Sequence, residues 1–398
     1  MADFRPTDAS DLVSILAWAA AEKEPVEVLG RGTKRGLGRP VEAAHRLDLS
    51  QLSGIRLYEP AELVLTVGAA TPLAEIEAVL RDADQMLAFE PPDWGELLGG
   101  EAGGQSLGGI LSCNFGGPRR LKMGAARDHL LGFSGVNGRG EAFKAGGRVV
   151  KNVTGYDLCK LLCGSYGTLA ALAEVTVKVL PRPEEEATLL ILGLNDQAAI
   201  AAMTEALNSP HEISAAAHLP AACGGLVPGV AGSVTALRIE GPKPSVVARL
   251  GVLRELLGTH GEIADLPRGQ LWQDIGDAKP FAGLPDHVVW RVSVAPSTGA
   301  ALAGDLGRRL DIRHFYDWGG GLLWLAVAGA EDGGAGAIRE AIKAGGGHAT
   351  LIRGPEDFRR EVPVFEPLAP GLAALTARVK AGFDPQGILN PGRLYRDM

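Results

Sequence analysis

Gly99-Gly100-Glu101-Ala102-Gly103-Gly104-Gln105-Ser106-Leu107-Gly108-Gly109-Ile110-Leu111-Ser112-Cys113-Asn114-Phe115-Gly116-Gly117 is the stretch on which the fold of this chain turns. Glycine at that density costs backbone entropy and marks a place where something approaches the main chain closely. Gln105, Ser106, Ser112 and Asn114 add short polar side chains to bare N–H groups. That is the chemistry of a loop that wraps a phosphate or a polar heterocycle. A mobile Gly/Ser linker is the alternative, but Leu107, Ile110, Leu111 and Phe115 are buried-type residues that a linker does not carry.

Upstream, Leu12, Ile15, Leu16 and Ala19 recur at helical spacing behind Thr7 and Asp8, which predicts a capped helix over Asp8–Lys23. Pro25 ends it, and strand Val26–Leu29 runs into a second glycine loop, Gly30-Arg31-Gly32-Thr33-Lys34-Arg35-Gly36-Leu37-Gly38. A glycine loop after a strand raises the Rossmann reading. The spacing is not G-x-G-x-x-G, however, Pro40 stands where a helix should open, and Asp48 alone is weak evidence for a ribose-binding acid.

Downstream, the pattern predicts strand Leu63–Val67, helix Pro72–Arg81, a rigid turn at Phe89–Trp94, and strands Leu131–Val136 and Glu141–Lys144 about an Asn137–Gly140 turn. Lys151-Asn152-Val153-Thr154-Gly155-Tyr156-Asp157 then enters a helix over Leu158–Cys163, followed by strand Glu174–Val179. Pro181-Arg182-Pro183 and three glutamates read as a domain boundary.

The second half differs in kind. Strand Ala187–Leu192, helix Asp196–Leu207, strands Glu212–His218 and Ser233–Glu240, helix Pro244–Leu257 and strand Glu262–Leu266 follow a β-α-β-β-α-β order. After a short helix at Gln270–Ile275 the order recurs through Val288–Ala295, Ser297–Leu310, Ile312–Tyr316, Leu322–Val327, Gly336–Ala344 and His348–Ile352. Two ferredoxin-like units side by side predict one antiparallel sheet with helices on one face. The tail is a helix over Pro370–Lys380 and a motif, Phe383–Arg393, so dense in Pro, Gly and Asn that its shape should be fixed against something definite.

With 398 residues, 46% hydrophobic and 22% charged, the chain is an ordinary globular protein of two or three domains. Its net charge of −8 and lack of a basic run argue against nucleic acid or an anionic membrane surface as partner. Cys113, Cys159, Cys163 and Cys223 form no C-x-x-C pair, so zinc and cluster ligation lack support and a reducing compartment is the default. The N-terminus has no apolar signal core, and the longest apolar stretches, Leu12–Ala21 and Leu322–Ala328, are too short to span a bilayer.

Four motifs occur in one order: Arg31–Gly38; Gly104–Gly117 with Gly124-Ala125-Ala126-Arg127-Asp128; Thr154–Asp157 with Gly164–Leu169; and Gly387-Ile388-Leu389-Asn390-Pro391-Gly392. Together they resemble the FAD-linked oxidases of the vanillyl-alcohol-oxidase type, strongly over residues 1–180 and the tail, and in architecture between them. Phe89-Glu90-Pro91-Pro92, Asn114–Arg120 and Tyr316–Gly321 are most similar to the FAD-binding subunits of bacterial glycolate oxidases.

The resemblance implies an α+β fold. A PCMH-type FAD-binding domain of two α+β subdomains would occupy residues 1–183, an antiparallel cap of two ferredoxin-like units residues 184–365, and a tail returning to the FAD site residues 366–398. It implies a chain that works beside a catalytic flavoprotein subunit and an iron–sulfur subunit. The complex would oxidise glycolate to glyoxylate and pass electrons to a respiratory acceptor. The location implied is cytoplasmic, or peripheral on an inner membrane through those partners and without direct insertion.

By the same resemblance, Arg31, Gly32, Thr33 and Lys34 would meet the FAD pyrophosphate with Gly108, Gly109, Ser112, Asn114 and Gly116. Gly124, Arg127 and Asp128 would lie close by. Gly164, Ser165, Gly167 and Leu169 would line the adenine and flavin approach, and Asn390 would close over the ring. Glycine loops can meet the cofactor's charge with N–H groups alone.

Two departures bear on mechanism. No histidine stands in Gly30–Gly38, so FAD should bind non-covalently. The metal-binding H-x-G-D-G-N-x-H run of catalytic relatives is replaced by Asp317-Trp318-Gly319-Gly320-Gly321-Leu322-Leu323-Trp324, and Gly346-Gly347-His348 lacks the acid of their E-x-H-G, so no metal is expected. Oxidising a 2-hydroxy acid needs a base and a cation for the carboxylate. His129 and His314 are weak candidates for the base, and Arg291 and Tyr316 are candidates to line a cap cleft. Three readings stay open: a FAD-binding subunit whose own turnover is in doubt, a self-sufficient FAD oxidoreductase, and a scaffold that has lost FAD.

Overall fold

The computed structural model describes residues 2–148, 155–343 and 345–398, so the run Lys151–Thr154 lies outside the described residues. Asp8 is extended, and its carboxylate takes the N–H groups of Ser10 and Asp11 to start helix Ala9–Glu22. Leu12, Leu16 and Ala19 are its buried stripe. The strands β1 (Asp3–Phe4), β2 (Val26–Leu29) and β3 (His45–Asp48) pair in parallel in the order β1-β3-β2 against this helix.

The chain continues through β4 (Ile55–Glu59), β5 (Val64–Gly68), β6 (Gln85–Met86), β7 (Leu130–Asn137), β8 (Ala142–Gly146), β9 (Ala170–Lys178) and β10 (Leu180–Pro181). A five-stranded antiparallel sheet, β4-β5-β9-β7-β8, carries Leu65, Val67, Phe133, Val175 and Val177 into a core with Ile76 and Leu80 of helix Leu73–Asp82. Strands β3 and β4 were not anticipated from the sequence.

The opening glycine stretch is not a loop throughout: Leu107–Cys113 is a helix. Leu107, Ile110 and Leu111 recur at helical spacing on a buried face, and this packing outweighs the poor helix propensity of two glycines. Gly108 is required there, because a Cβ on it would stand 2.6 Å from the Ala69 carbonyl oxygen. Asn114 ends the helix in the left-handed region, at φ 56°.

The second half folds as β11 (Glu185–Leu192), β12 (Ala215–Leu219), β13 (Val234–Gly241), β14 (Glu262–Leu266), β15 (Val288–Ser293), β16 (Asp311–Asp317), β17 (Leu322–Ala328) and β18 (His348–Arg353). All eight form one antiparallel sheet, β14-β11-β13-β12-β16-β17-β15-β18, in which each β-α-β-β-α-β unit keeps the ferredoxin-like strand order. The units join at β12 and β16, where His218 pairs with Tyr316.

Side chains alternate along these strands. Trp290, Val292, Leu323 and Leu325 pack with helices Asp196–Asn208, Lys243–Leu257, Gly299–Arg309 and Ala335–Lys343. Val289, Phe315, Trp324 and Ala236 face the first half and share its core, with Trp324 edge-on to Trp94 at 5.4 Å.

A buried ion network crosses the same interface. Arg238 on β13 clamps Glu90 at 2.7 and 2.9 Å, and Arg119 reaches Glu240 at 2.5 and 3.1 Å. The tail helix runs from Pro370 to Phe383, and the chain beyond it returns to β2: Val26 N–H donates to the Ile388 carbonyl at 2.8 Å, and Asn390 N–H to the Val26 carbonyl at 3.1 Å.

Candidate functional site

Beyond the C-terminal end of β2, the loop Gly30–Arg35, the helix Leu107–Cys113, the turn Tyr166–Gly167 and the tail at Asn390 and Arg393 surround a half-open cleft. Val28, Leu29, Leu49, Ala69, Ala70, Ala170 and Leu172 give it apolar walls, and Thr33, Ser106 and Ser112 add hydroxyls.

The loops meet across the cleft without side chains between them. A Cβ on Gly30 would stand 2.8 Å from Ser106 Oγ, and one on Gly167 would stand 2.8 Å from Asn390 Nδ2. Gly32 and Gly167 also hold φ of 75° and 72°, which glycine adopts without strain. Asn390 ties two walls together: its Oδ1 accepts Val28 N–H at 2.7 Å, and its Nδ2 donates to the Tyr166 carbonyl at 2.8 Å. Arg393 donates to the Lys34 carbonyl at 2.6 Å, which fixes the glycine loop from beneath.

The electrostatics suit an anion. Lys34 Nζ donates to Gln105 Oε1 at 3.1 Å and lies 5.6 Å from the Phe115 ring, with no carboxylate partner among the described residues. Burial pushes its ammonium below the ordinary lysine range, and Cys113 and Asp93 oppose the shift. Gln105 Nε2 is buried with no hydrogen-bond partner. Burial also pushes the Cys113 thiol up to about 11, so this lining residue is a neutral thiol at neutral pH.

A buried ammonium without an acid, an orphaned amide donor and glycine-lined walls together fit a dinucleotide carrying a pyrophosphate, such as FAD. Lys34, Arg31, Thr33, Ser106, Ser112 and Gln105 would hold its charged part, and the aliphatic wall its rings.

Of the residues singled out in the sequence, Arg31, Gly32, Thr33, Lys34, Gly108, Gly109, Ser112, Gly167 and Asn390 line the cleft. Asn114, Gly116, Gly124, Arg127, Asp128, Gly164, Ser165 and Leu169 stand outside its lining. Asn114 Oδ1 accepts Arg127 N–H at 3.0 Å, and Asp128 accepts Ala125 N–H at 2.9 Å beneath Gly124. Ser165 turns the chain by accepting Thr168 N–H at 3.0 Å, and Leu169 is in the core.

The structure adds Gly30, Arg35, Ser106, Cys113, Tyr166 and Arg393 to the lining. Ser106 and Cys113 stood within the glycine stretch and Arg393 within the tail motif, so position was the available signal.

Neither candidate base lines the cleft. His129 packs on Phe89 at 5.3 Å, with Nε2 2.9 Å from the Met123 carbonyl and Nδ1 buried without a partner. His314 faces the helix-covered side of the cap sheet, where Asp196 holds it and Tyr316 at 2.7 Å each. Among the described residues no group of three or more His, Cys, Asp or Glu side chains is placed to hold a metal ion, and no helix is long and apolar enough to cross a membrane.

Residues 2–146 match the family model for the FAD binding domain. The chain is 37% identical over 381 residues to the glycolate oxidase subunit GlcE of Escherichia coli K12, covering 96% of this chain and 95% of that one. It is 26% identical to the glycolate oxidase subunit GlcD of Bacillus subtilis 168, over 98% of this chain and 88% of that protein. Among solved structures, p-cresol methylhydroxylase with substrate bound superposes with a TM-score of 0.73 at 13% identity, covering 99% of this chain and 88% of that one, a likeness of fold.

Proposed function

Since the chain belongs to the GlcE family of FAD-linked glycolate oxidase subunits, we propose that it binds FAD non-covalently in the cleft beyond β2 and serves a multi-subunit glycolate dehydrogenase that makes glyoxylate. One observation carries the reading: sequence-distant loops, at Gly30–Arg35, Ser106–Cys113, Tyr166–Gly167 and Asn390–Arg393, converge on one cleft with an unpaired buried ammonium.

Bound there, FAD supplies the acceptor for a hydride leaving a carbinol carbon and a store for the two electrons. Lys34, Thr33 and the glycine N–H groups neutralise and orient the cofactor's charged part. The buried helix Leu107–Cys113 and the tail residues Asn390 and Arg393 hold those loops in place. Cys113 stays protonated, which leaves the cleft without an anionic nucleophile at that point.

The partners we assign are a catalytic flavoprotein subunit and an iron–sulfur subunit, with electrons leaving to a respiratory acceptor. Support for assembly comes from the names of the relatives, both subunits of glycolate oxidase, and from the similarity of this one chain to two of them. The chain is then cytoplasmic, or peripheral on an inner membrane through those partners.

Purified full-length protein should carry a flavin absorption band, and glycolate should bleach it when the partner subunits are present. A colourless protein that refuses added FAD overturns the proposal. Bleaching by glycolate in the isolated chain would instead make it a self-sufficient oxidoreductase.

A further inference from the structure

Beyond Tyr166, on the face of the cap sheet turned toward the first half, the structure gathers two arginines without partners. Arg291 comes from β15 and Arg120 from the short helix Arg120–Met123, so each half of the molecule supplies one. Both guanidinium carbons lie 4.7 Å from the centroid of the Trp318 ring. Among the described residues each guanidinium has the Trp318 ring face as its contact and no protein acceptor or carboxylate in hydrogen-bond or ion-pair contact.

The acids that could have served are committed elsewhere. Asp317 accepts Trp318 N–H at 2.7 Å, and burial pushes its carboxyl up to about 7. Asp128 accepts Ala125 N–H at 2.9 Å. Burial, and then the charge of Arg120, push Arg291 down to about 10. Both side chains are half-buried, and two like charges set together without an anion are an unfavourable arrangement for packing alone; such arrangements concentrate at binding sites.

The platform beneath them is fixed. Trp318 holds φ of 53°, a left-handed conformation strained for a bulky residue. Its indole N–H donates to the Gly117 carbonyl at 3.1 Å, which binds the platform to the opening glycine stretch. Gly319 and Gly320 follow at φ of 63° and 96°, and a Cβ on either would enter Leu207 or Ile200 at 2.4 or 2.3 Å. Tyr166 connects this place to the cleft: it lines the cleft, and Arg291 and Arg393 are both near enough to oppose the upward push that burial gives its phenol.

We propose that Arg120 and Arg291, seated on Trp318, anchor the carboxylate of a small 2-hydroxy acid beside the FAD cleft. A carboxylate accepts two parallel N–H groups from a guanidinium, and two such groups can neutralise it and fix its orientation. The anchor rests on the FAD-linked reading above; of its two cations the sequence offered Arg291 as a candidate to line a cap cleft and gave no sign of Arg120. Both arginines here are positioning residues for the acid.

The test is equilibrium binding to the FAD-loaded full-length chain, followed by calorimetry and by perturbation of the flavin spectrum, with oxalate, glycolate and the neutral isostere glycolamide as probes. Oxalate and glycolate should bind and glycolamide should not. R291Q and R120Q should each weaken oxalate at least tenfold with flavin content and melting temperature kept, and R291K should recover part of the loss. Unchanged oxalate affinity in R291Q and R120Q, or no binding of either acid by the wild type, overturns the anchor and leaves the flavoprotein assignment intact. Arginine-dependent binding without glycolate-driven bleaching in the presence of partners would uphold the anchor and overturn the glycolate dehydrogenase reading. Should R291Q fail to fold, R120Q and R291K carry the test.

Discussion

At the residue scale, the cleft depends on a few buried polar groups that nothing in the protein fully satisfies. Lys34 is the clearest. Its ammonium has an amide oxygen and a ring face but no acid, so a bound pyrophosphate would supply the missing charge. A hydrogen bond to a charged group contributes about 1.5–3 kcal/mol, so Lys34→Met should weaken FAD by roughly ten- to a hundredfold in a flavin-fluorescence titration of the apoprotein. The same substitution should leave the fold intact, because removing a desolvated charge offsets the loss of one hydrogen bond to Gln105 Oε1. Asp317 works in the opposite sense. Burial holds its carboxyl up at about 7, against about 3.9 in an unfolded chain, so the folded state keeps a proton that the unfolded state has lost. Stability therefore falls as pH rises from about 4 through 7. Asp317→Asn should flatten that fall in urea titrations compared at pH 5.5 and pH 8, since the amide oxygen can still accept Trp318 N–H.

At the element scale, the C-terminal segment acts as a fastener. Lys380, near the end of helix Pro370–Phe383, donates to Thr168 O at 2.8 Å, to Asp384 at 2.6 Å and to Leu389 O at 3.0 Å. Asp384 in turn accepts the N–H groups of Ile388 and Leu389 at 3.0 and 2.8 Å, which shapes the turn that delivers Asn390 to the cleft. Lys380→Met would leave Asp384 charged and buried without its cation, a loss of about 3–5 kcal/mol for a broken buried pair. Chemical denaturation should register that loss, and FAD affinity should drop with it because Asn390 joins β2 to the Tyr166 turn. Elements were legible where their periodicity was clean. Helix Ala9–Glu22, β2 and the eight cap strands follow from spacing and alternation, within a residue or three at their ends. Helix Leu107–Cys113 was hidden because two glycines suppress the propensity signal, and only its buried face against Ala69 stabilises it.

At the scale of the whole molecule, the two halves are joined by an interface that is apolar at Trp94 and Trp324 and ionic at Glu90, Arg119, Arg238 and Glu240. Burial alone would raise Glu240, but the hydrogen bond from Arg119 and the charges of Arg238 and Arg119 outweigh it and hold the carboxyl at about 2. Its folded value lies below its unfolded one, so this contribution is complete above about pH 4.5 and is lost as pH falls through 2. With Asp317 and Asp277, the latter pushed up to about 6 by burial, losing their contributions as pH rises above about 4, the full chain should resist urea best near roughly pH 4 to 4.5.

Local chemistry, read residue by residue, determined that this chain holds loops able to wrap a phosphate or a polar heterocycle and a doubled β-α-β-β-α-β second half, and the order of four motifs gave the resemblance that points to FAD. Glycine density, strand alternation and turn residues are short-range signals, and they survive without knowledge of what packs where. Only the tertiary structure decided which polar groups lack partners. In sequence the first glycine loop singles out Lys34, a strand position makes Arg291 a candidate for the cap cleft, and Arg120 carries no signal; none of the three shows whether an acid stands within reach. Their meaning comes from the absence of an acid within reach among the described residues, a property of long-range packing: Arg120 and Arg291 stand 171 positions apart and meet on Trp318.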